Sequence, residues 1–88
     1  MIAGLVHVTH ATILRDRRVH LRFDDGVAGE ADLRPLLWGP LFAELATDDH
    51  AFAQMFVDPR AGTIAWPNNA DIAPEALHAI VTTEPARP

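Results

Sequence analysis

The sequence contains no cysteine, serine, lysine or tyrosine. Without cysteine it can form neither disulfides nor thiolate metal sites nor a cysteine nucleophile, which excludes a disulfide-stapled secreted module and fits a reducing compartment. Without serine it lacks a serine nucleophile, and no glycine-rich phosphate loop is present. We therefore expect a protein that is not an enzyme and that uses no cofactor.

Positive charge is also scarce, because the seven basic residues are all arginine and stand against twelve acidic residues, for a net charge of −5. An acidic protein repels a phosphate backbone, so nucleic-acid binding is disfavoured unless the arginines converge on one face. The densest group is "RDRR" at residues 15–18. We interpret it as a solvated hairpin tip.

Long apolar runs are absent, since His7, Thr9 and His10 interrupt the N-terminal stretch and nothing approaches a spanning length of about 18 residues. We predict no membrane segment and a cytoplasmic location. At 88 residues the chain is long enough for one small core. Residues 1–82 are predicted to form one domain, followed by a frayed tail at 83–88.

The first third of the chain has the alternation of an antiparallel meander. Val19, Leu21 and Phe23 point one way in "VHLRF", and "DDG" at 24–26 is a tight-turn signal. In the strand that follows, Glu30 is expected to face water. The predicted strands are residues 5–14, 19–23 and 27–33.

The middle of the chain is predicted to be broken helix. Prolines and glycine divide "RPLLWGPLFAEL" too often for one long helix, which leaves a turn at 35–38 and a helical turn at 41–46. A short helix at 48–53 is expected next, with Thr47 or Asp48 accepting hydrogen bonds from its first free N–H groups.

The last third is predicted to be a hairpin and a helix. Apolar runs at 55–58 and 63–66 flank a turn containing Pro59 and Gly62. Asp71 is the expected cap of the final helix, and Ala73 competes for that position. The predicted fold class is α+β: a three-stranded antiparallel meander, a short helical connection, a β-hairpin and a C-terminal helix packed on the sheet.

Histidines and paired carboxylates give no catalytic or metal signature. His7 and His20 could share a solvent face on neighbouring strands, but a zinc site needs three or four ligands. The acid pairs at 24–25 and 48–49 are interpreted as turn and capping residues, because neighbours in a turn point apart. We therefore predict no metal site and no catalytic residue.

The two tryptophans are the best candidates for anchors of a core or an interface. Trp66 ends a predicted strand and is assigned to the core. Trp38 lies in an apolar loop, for which core packing is the first interpretation and a partner-binding patch the second. The candidate partner-binding residues are Trp38, Leu37, Phe42, Asn68 and Asn69.

A second candidate surface is the exposed face of the meander, which would present cationic side chains to a ligand or a nucleic acid. Clustering of arginines in space and a steep dependence of binding on salt would distinguish this surface. The candidate contact residues are His7, His20, Arg22, Arg17 and Arg18.

The motifs "FDDG", "ADLRPLL", "GPLFAELATDDHAFAQMFVD" and "GTIAWPNNADIAPEAL" together resemble a small bacterial family, domain-of-unknown-function family 2442. The resemblance runs from about Val6 to Leu77, and its last motif is the most specific. It implies the same α+β fold. Some relatives carry an appended helix-turn-helix, and members often lie beside another small protein in pairs that resemble toxin–antitoxin modules. The family offers no catalytic residues to transfer.

Our first functional hypothesis is therefore a non-enzymatic protein-interaction module, in an antitoxin-like role, that binds a basic protein encoded by a neighbouring gene. A homodimer is a further possibility for this chain, because a meander leaves an edge strand that a second copy can pair with. The alternative is a regulatory ligand- or nucleic-acid-binding domain that uses the exposed sheet face.

Overall fold

The structure is a computed structural model and describes residues 6–83. Its elements are three strands of one antiparallel sheet in the order β1-β2-β3, a 3₁₀ turn, two short helices, a two-stranded hairpin and a final helix. Their bounds are β1 Val8–Arg15, β2 Arg18–Phe23, β3 Ala28–Asp32, the 3₁₀ turn Arg34–Leu36, α1 Ala43–Thr47, α2 Asp49–Phe52, β4 Phe56–Asp58, β5 Thr63–Ala65 and α3 Pro74–Thr83. The predicted fold class is confirmed.

Alternation along β2 decides which face of the sheet is buried. Val19, Leu21 and Phe23 all point into the core, as predicted. In a regular strand Val8 would point outward, because it lies an odd number of residues before the inward-facing positions of β1. A register shift between Val8 and His10 interrupts the alternation, and Val8 is buried. The opposite face of the sheet is therefore polar.

The final helix packs on the sheet at β3. A Cβ atom at Gly29 would lie 2.8 Å from Cγ1 of Val81, so the absence of a side chain at residue 29 permits the close approach of α3. Leu77 is fully buried on the same helix. The C-terminal helix thereby closes the core on one side of the meander.

The two short helices share one residue at their junction. Asp48 follows α1 and caps α2, since its Oδ1 accepts hydrogen bonds from the N–H groups of His50 and Ala51. Of the two predicted caps, Asp48 is therefore correct. Thr47 instead donates its hydroxyl hydrogen bond to the carbonyl oxygen of Ala43.

The start of α3 corrects one prediction. Ala73, not Asp71, directly precedes the first helical residue, and its carbonyl oxygen accepts the N–H of Leu77. Asp71 forms an isolated antiparallel bridge with Ala65, which fixes it before the helix begins. Of the predicted frayed tail, Thr83 is the last helical residue, and residues 84–88 lie outside the described residues.

The turn between β2 and β3 connects the beginning of the described chain to its end. His7 Nδ1 lies 3.0 Å from Oδ2 of Asp24, and His78 Nε2 on α3 lies 2.8 Å from Oδ2 of Asp25. The hydrogen bond with His7 lowers the pKa of the Asp24 carboxyl. The N–H of Val27, and then His78, lower the pKa of Asp25.

Candidate functional site

An apolar groove opens beside Trp38, between the 3₁₀ turn and the start of α3. Its volume is about 450 Å³, and Trp38 and Leu41 are 74% and 45% exposed at its edge. We call it the Trp38 groove, and its lining residues are Leu36, Trp38, Gly39, Pro40, Leu41, Phe42, Asp71, Ile72 and Ala73. Trp38 and Leu41 are two of the four large apolar side chains that are exposed within residues 6–83.

The first interpretation of Trp38, packing in the core, is wrong. Leu37 occupies the core position in this loop and is buried, and the adjacent side chain of Trp38 lies in solvent. Gly39 follows with a φ of +89°, a left-handed conformation that glycine adopts without strain. Trp38 has the exposure that the second interpretation, a partner-binding patch, requires, and binding by this patch stays a prediction.

The five predicted partner-binding residues fall into different places. Trp38 and Phe42 line the groove, whereas Leu37 is buried and unavailable to a partner. Asn68 donates a hydrogen bond from Nδ2 to the carbonyl oxygen of Leu41 at 3.1 Å. Asn69 is exposed with a φ of +73° and shapes the turn after β5.

A second cavity of about 250 Å³ is lined by Asn68, the residue that donates the hydrogen bond to Leu41 of the Trp38 groove. We call it the α1–α2 cavity, and its lining residues are Glu44, Leu45, Asp48, His50, Ala51, Gln54, Trp66, Pro67 and Asn68. Trp66 is 2% exposed, and its Nε1–H donates to the carbonyl oxygen of Phe52 at 3.0 Å. The assignment of Trp66 to the core is therefore confirmed.

The charged side chains around both cavities are acidic. Glu44 and Asp48 line the α1–α2 cavity and Asp71 lines the Trp38 groove. Among the lining residues only His50 can carry a positive charge. Both cavities therefore combine mainly apolar walls with acidic side chains.

The predicted solvated tip "RDRR" is wrong at Arg17, which is 2% exposed. Its guanidinium donates to the carbonyl oxygens of Leu45 and Ala46 at 2.8 and 3.1 Å and lies 2.9 Å from Oδ1 of Asp49. The group also sits 4.7 Å from the ring centroid of Phe52. Arg17 therefore fastens the two short helices to the sheet and cannot contact a ligand.

The outer sheet face is the polar face of the meander. Across β1 and β2 its opposed pairs are His10 with Arg22, Thr12 with His20, and Arg15 with Arg18. Arg18 also donates from Nε to Oε1 of Glu30 on β3 at 3.1 Å. Of the five predicted contact residues, this face brings together His20, Arg22 and Arg18.

His7 does not belong to that face, because it precedes the first residue of β1 and pairs with Asp24. The structure adds His10, which the sequence prediction missed, and places Arg15 of "RDRR" on the same face. The register between β1 and β2 is the signal that would have found them, because each lies opposite a predicted contact residue.

Residues 6–83 contain no group of three or more histidine or acidic side chains arranged to hold a metal ion. In the same residues no helix has the length and apolar character needed to cross a bilayer.

Comparison with known proteins gives one match. A family model described as "Protein of unknown function (DUF2442)" matches residues 8–83, which is nearly the whole chain. No curated protein and no solved structure matches the chain.

Proposed function

We propose that this chain, which belongs to the DUF2442 family, is a non-enzymatic protein-interaction module that binds a basic partner protein through the Trp38 groove. The observation that carries the proposal is the 74% exposure of Trp38 in an apolar groove whose one charged lining residue is the acidic Asp71. Large exposed aromatic residues are enriched among the side chains that dominate binding energy at interfaces.

The energetic reason is the apolar area that a partner would cover. Burying most of a tryptophan side chain removes on the order of 150 Å² from water, which contributes roughly 4 kcal/mol at about 25 cal/mol per Å². Leu41 adds a second exposed apolar side chain beside it. A groove that exposes this much apolar surface is better explained by a partner than by the stability of the free chain.

The acidic lining residues support the choice of a basic partner. Asp71 lines the groove, Glu44 and Asp48 line the second cavity, and the whole chain has a net charge of −5. Complementary charge raises the association rate and excludes acidic competitors. We assign the partner role to the basic product of a neighbouring gene, with this chain as the antitoxin-like member of the pair.

Co-expression with the tagged neighbour-encoded protein tests this function. We expect a stable complex in size-exclusion chromatography, weaker at moderate salt than at low salt. Trp38→Ala should weaken the complex by about tenfold or more, because an aromatic anchor in such a groove contributes on the order of 2 kcal/mol.

Phe56→Ala is the matched control, since Phe56 is an exposed aromatic residue on β4 outside both cavities. Arg60→Ala in the β4–β5 turn is the corresponding charged control. Equal loss of binding in Trp38→Ala and Phe56→Ala, or no complex at either salt concentration, would contradict the proposal. A species of twice the chain mass in the absence of partner would identify a homodimer instead.

A second candidate function is binding of an anionic ligand or nucleic acid by the outer sheet face. It is favoured by Arg15 and Arg22, which have no ion-pair partner within residues 6–83 and lie opposite Arg18 and His10 respectively. Filter binding with RNA and DNA at low salt tests it. A binding curve that falls steeply with salt and weakens in Arg22→Ala is expected, and flat curves would remove this candidate.

A further inference from the structure

We infer that the α1–α2 cavity is a subsite for one arginine side chain of the partner protein. The inference rests on the proposed function, because it names the chemistry of the partner that the Trp38 groove binds. Its evidence is the cavity's size, its position, the composition of its walls and the sign of its charge.

The size and position of the cavity suit a side chain. Its volume of about 250 Å³ lies below the roughly 300–1,000 Å³ of pockets that hold free small molecules. Asn68 in the cavity wall donates a hydrogen bond to the carbonyl oxygen of Leu41, which lines the Trp38 groove, so the two walls are directly linked. A partner segment that covers Trp38 can therefore extend a neighbouring side chain into the cavity.

Two carboxylates give the cavity its negative charge. Glu44 lies in the first turn of α1 and Asp48 caps α2, and both line the cavity wall. Oδ1 of Asp48 already accepts two backbone N–H groups, so its Oδ2 is the atom available to a cation. A guanidinium group can bind two carboxylates at once.

The remaining walls distinguish arginine from lysine. Trp66, Pro67 and Ala51 give the cavity an aromatic and apolar lining. A guanidinium is planar and weakly hydrated and packs well against such surfaces, whereas an ammonium group is compact and strongly hydrated. The geometry therefore favours arginine.

An NMR titration of the full chain with N-acetyl-arginine amide tests the subsite without the partner. The indole N–H of Trp66 reports on the cavity and that of Trp38 on the groove. We expect a saturable shift of the Trp66 signal, with a dissociation constant on the order of millimolar, and a smaller change at Trp38.

Asp48→Asn and Glu44→Gln should each weaken this binding by about tenfold, because each removes one charge-assisted interaction. Asparagine keeps the oxygen that caps α2, so the helix is retained. Asp32→Asn is the matched control: Oδ1 of Asp32 likewise accepts a backbone N–H two residues ahead, from Arg34, but Asp32 lies on β3 away from the cavity.

Several outcomes would overturn the inference. They are the absence of a saturable Trp66 shift, equal binding of the neutral isostere N-acetyl-citrulline amide, tighter binding of N-acetyl-lysine amide, and equal losses in Asp48→Asn and Asp32→Asn. If a Trp38-dependent partner complex forms while the arginine probe does not bind, the subsite fails and the proposed function stands. If the probe binds and no partner complex forms, the cavity is an arginine-binding site and the proposed function fails.

Discussion

The two tryptophans of this chain occupy opposite environments. Trp66 is 2% exposed, donates a hydrogen bond to Phe52 and lies 5.7 Å from its ring, whereas Trp38 is 74% exposed. Both belong to segments rich in apolar residues. The difference shows that local hydrophobicity does not decide burial in a chain this short. Leu37 is buried beside the exposed Trp38, whereas Ile64, Ala65 and Trp66 are buried in succession.

The largest expected effect follows from removing the buried member of the pair. Trp66→Ala should lower the free energy of unfolding by about 3–5 kcal/mol, because it leaves a cavity against Phe52 and removes the hydrogen bond to its carbonyl oxygen. Denaturant unfolding followed by circular dichroism measures the change. At that cost the variant can be largely unfolded at room temperature.

Trp38→Ala is the matched control and should change the same free energy by less than about 0.5 kcal/mol. A loss of several kcal/mol in Trp38→Ala would show that this side chain packs in the core of the free protein. The contrast between the two tryptophans would then disappear, and with it the main support for the interaction surface.

An intermediate effect is expected at Arg17, which contacts the same Phe52 ring as Trp66. Arg17→Met should destabilise the protein by about 2–4 kcal/mol, because the carbonyl oxygens of Leu45 and Ala46 lose their donors. Asp49 adds little to this cost, since it is 93% exposed and remains solvated. Chemical denaturation measures the change.

The exposed Arg15 provides the control for this variant. Arg15→Ala should be nearly neutral, because Arg15 has no ion-pair partner within the described part of the chain. If the two arginine variants proved equally mild, the buried guanidinium would not fasten the short helices to the sheet.

The smallest effect is expected from acid. The pKa of Asp16 is lowered by its hydrogen bond with Arg34, and those of Asp24 and Asp25 are lowered in the β2–β3 turn. A carboxyl whose pKa is lowered by folding stabilises the protein above its unfolded value and loses that contribution as the pH falls through the folded value. Stability should therefore decline below about pH 4.

In a Trp38→Phe background Trp66 is the only tryptophan, so fluorescence during an acid titration reports on the core alone. Asp25→Asn should make the denaturation midpoint less sensitive to pH below 4, because asparagine can still accept the N–H of Val27 but does not titrate. An identical dependence of the denaturation midpoint on pH in Asp25→Asn and the parent would show that Asp25 does not contribute to the acid sensitivity.

The parts that could be predicted from the sequence are those determined by neighbours along the chain. The alternation of Val19, Leu21 and Phe23 identifies the buried face of β2, and the cap of α2, Asp48, is one of the two residues predicted for that role. These features depend on the two-residue period of strands and on the free N–H groups at a helix start. Short-range physics is sufficient for both.

The parts that could not be predicted depend on contacts distant in sequence. Arg17 is buried by carbonyl oxygens 28 and 29 residues away, so "RDRR" reads as solvent-exposed until α1 is in place. The groove at Trp38 similarly forms only when residues 71–73 approach the 3₁₀ turn. Some of the charged residues on the outer sheet face were predictable, but the complete set became clear only from the register between β1 and β2.

The contacts of Arg17 also determine how the molecule moves. Helices of five and four residues have no independent stability in water, so α1 and α2 persist only while the sheet holds them. Their amide protons should therefore exchange with solvent at least as fast as those of β1 and β2, because every opening of the sheet also opens them. The α1–α2 cavity can then last no longer than the sheet to which Arg17 ties its two helices.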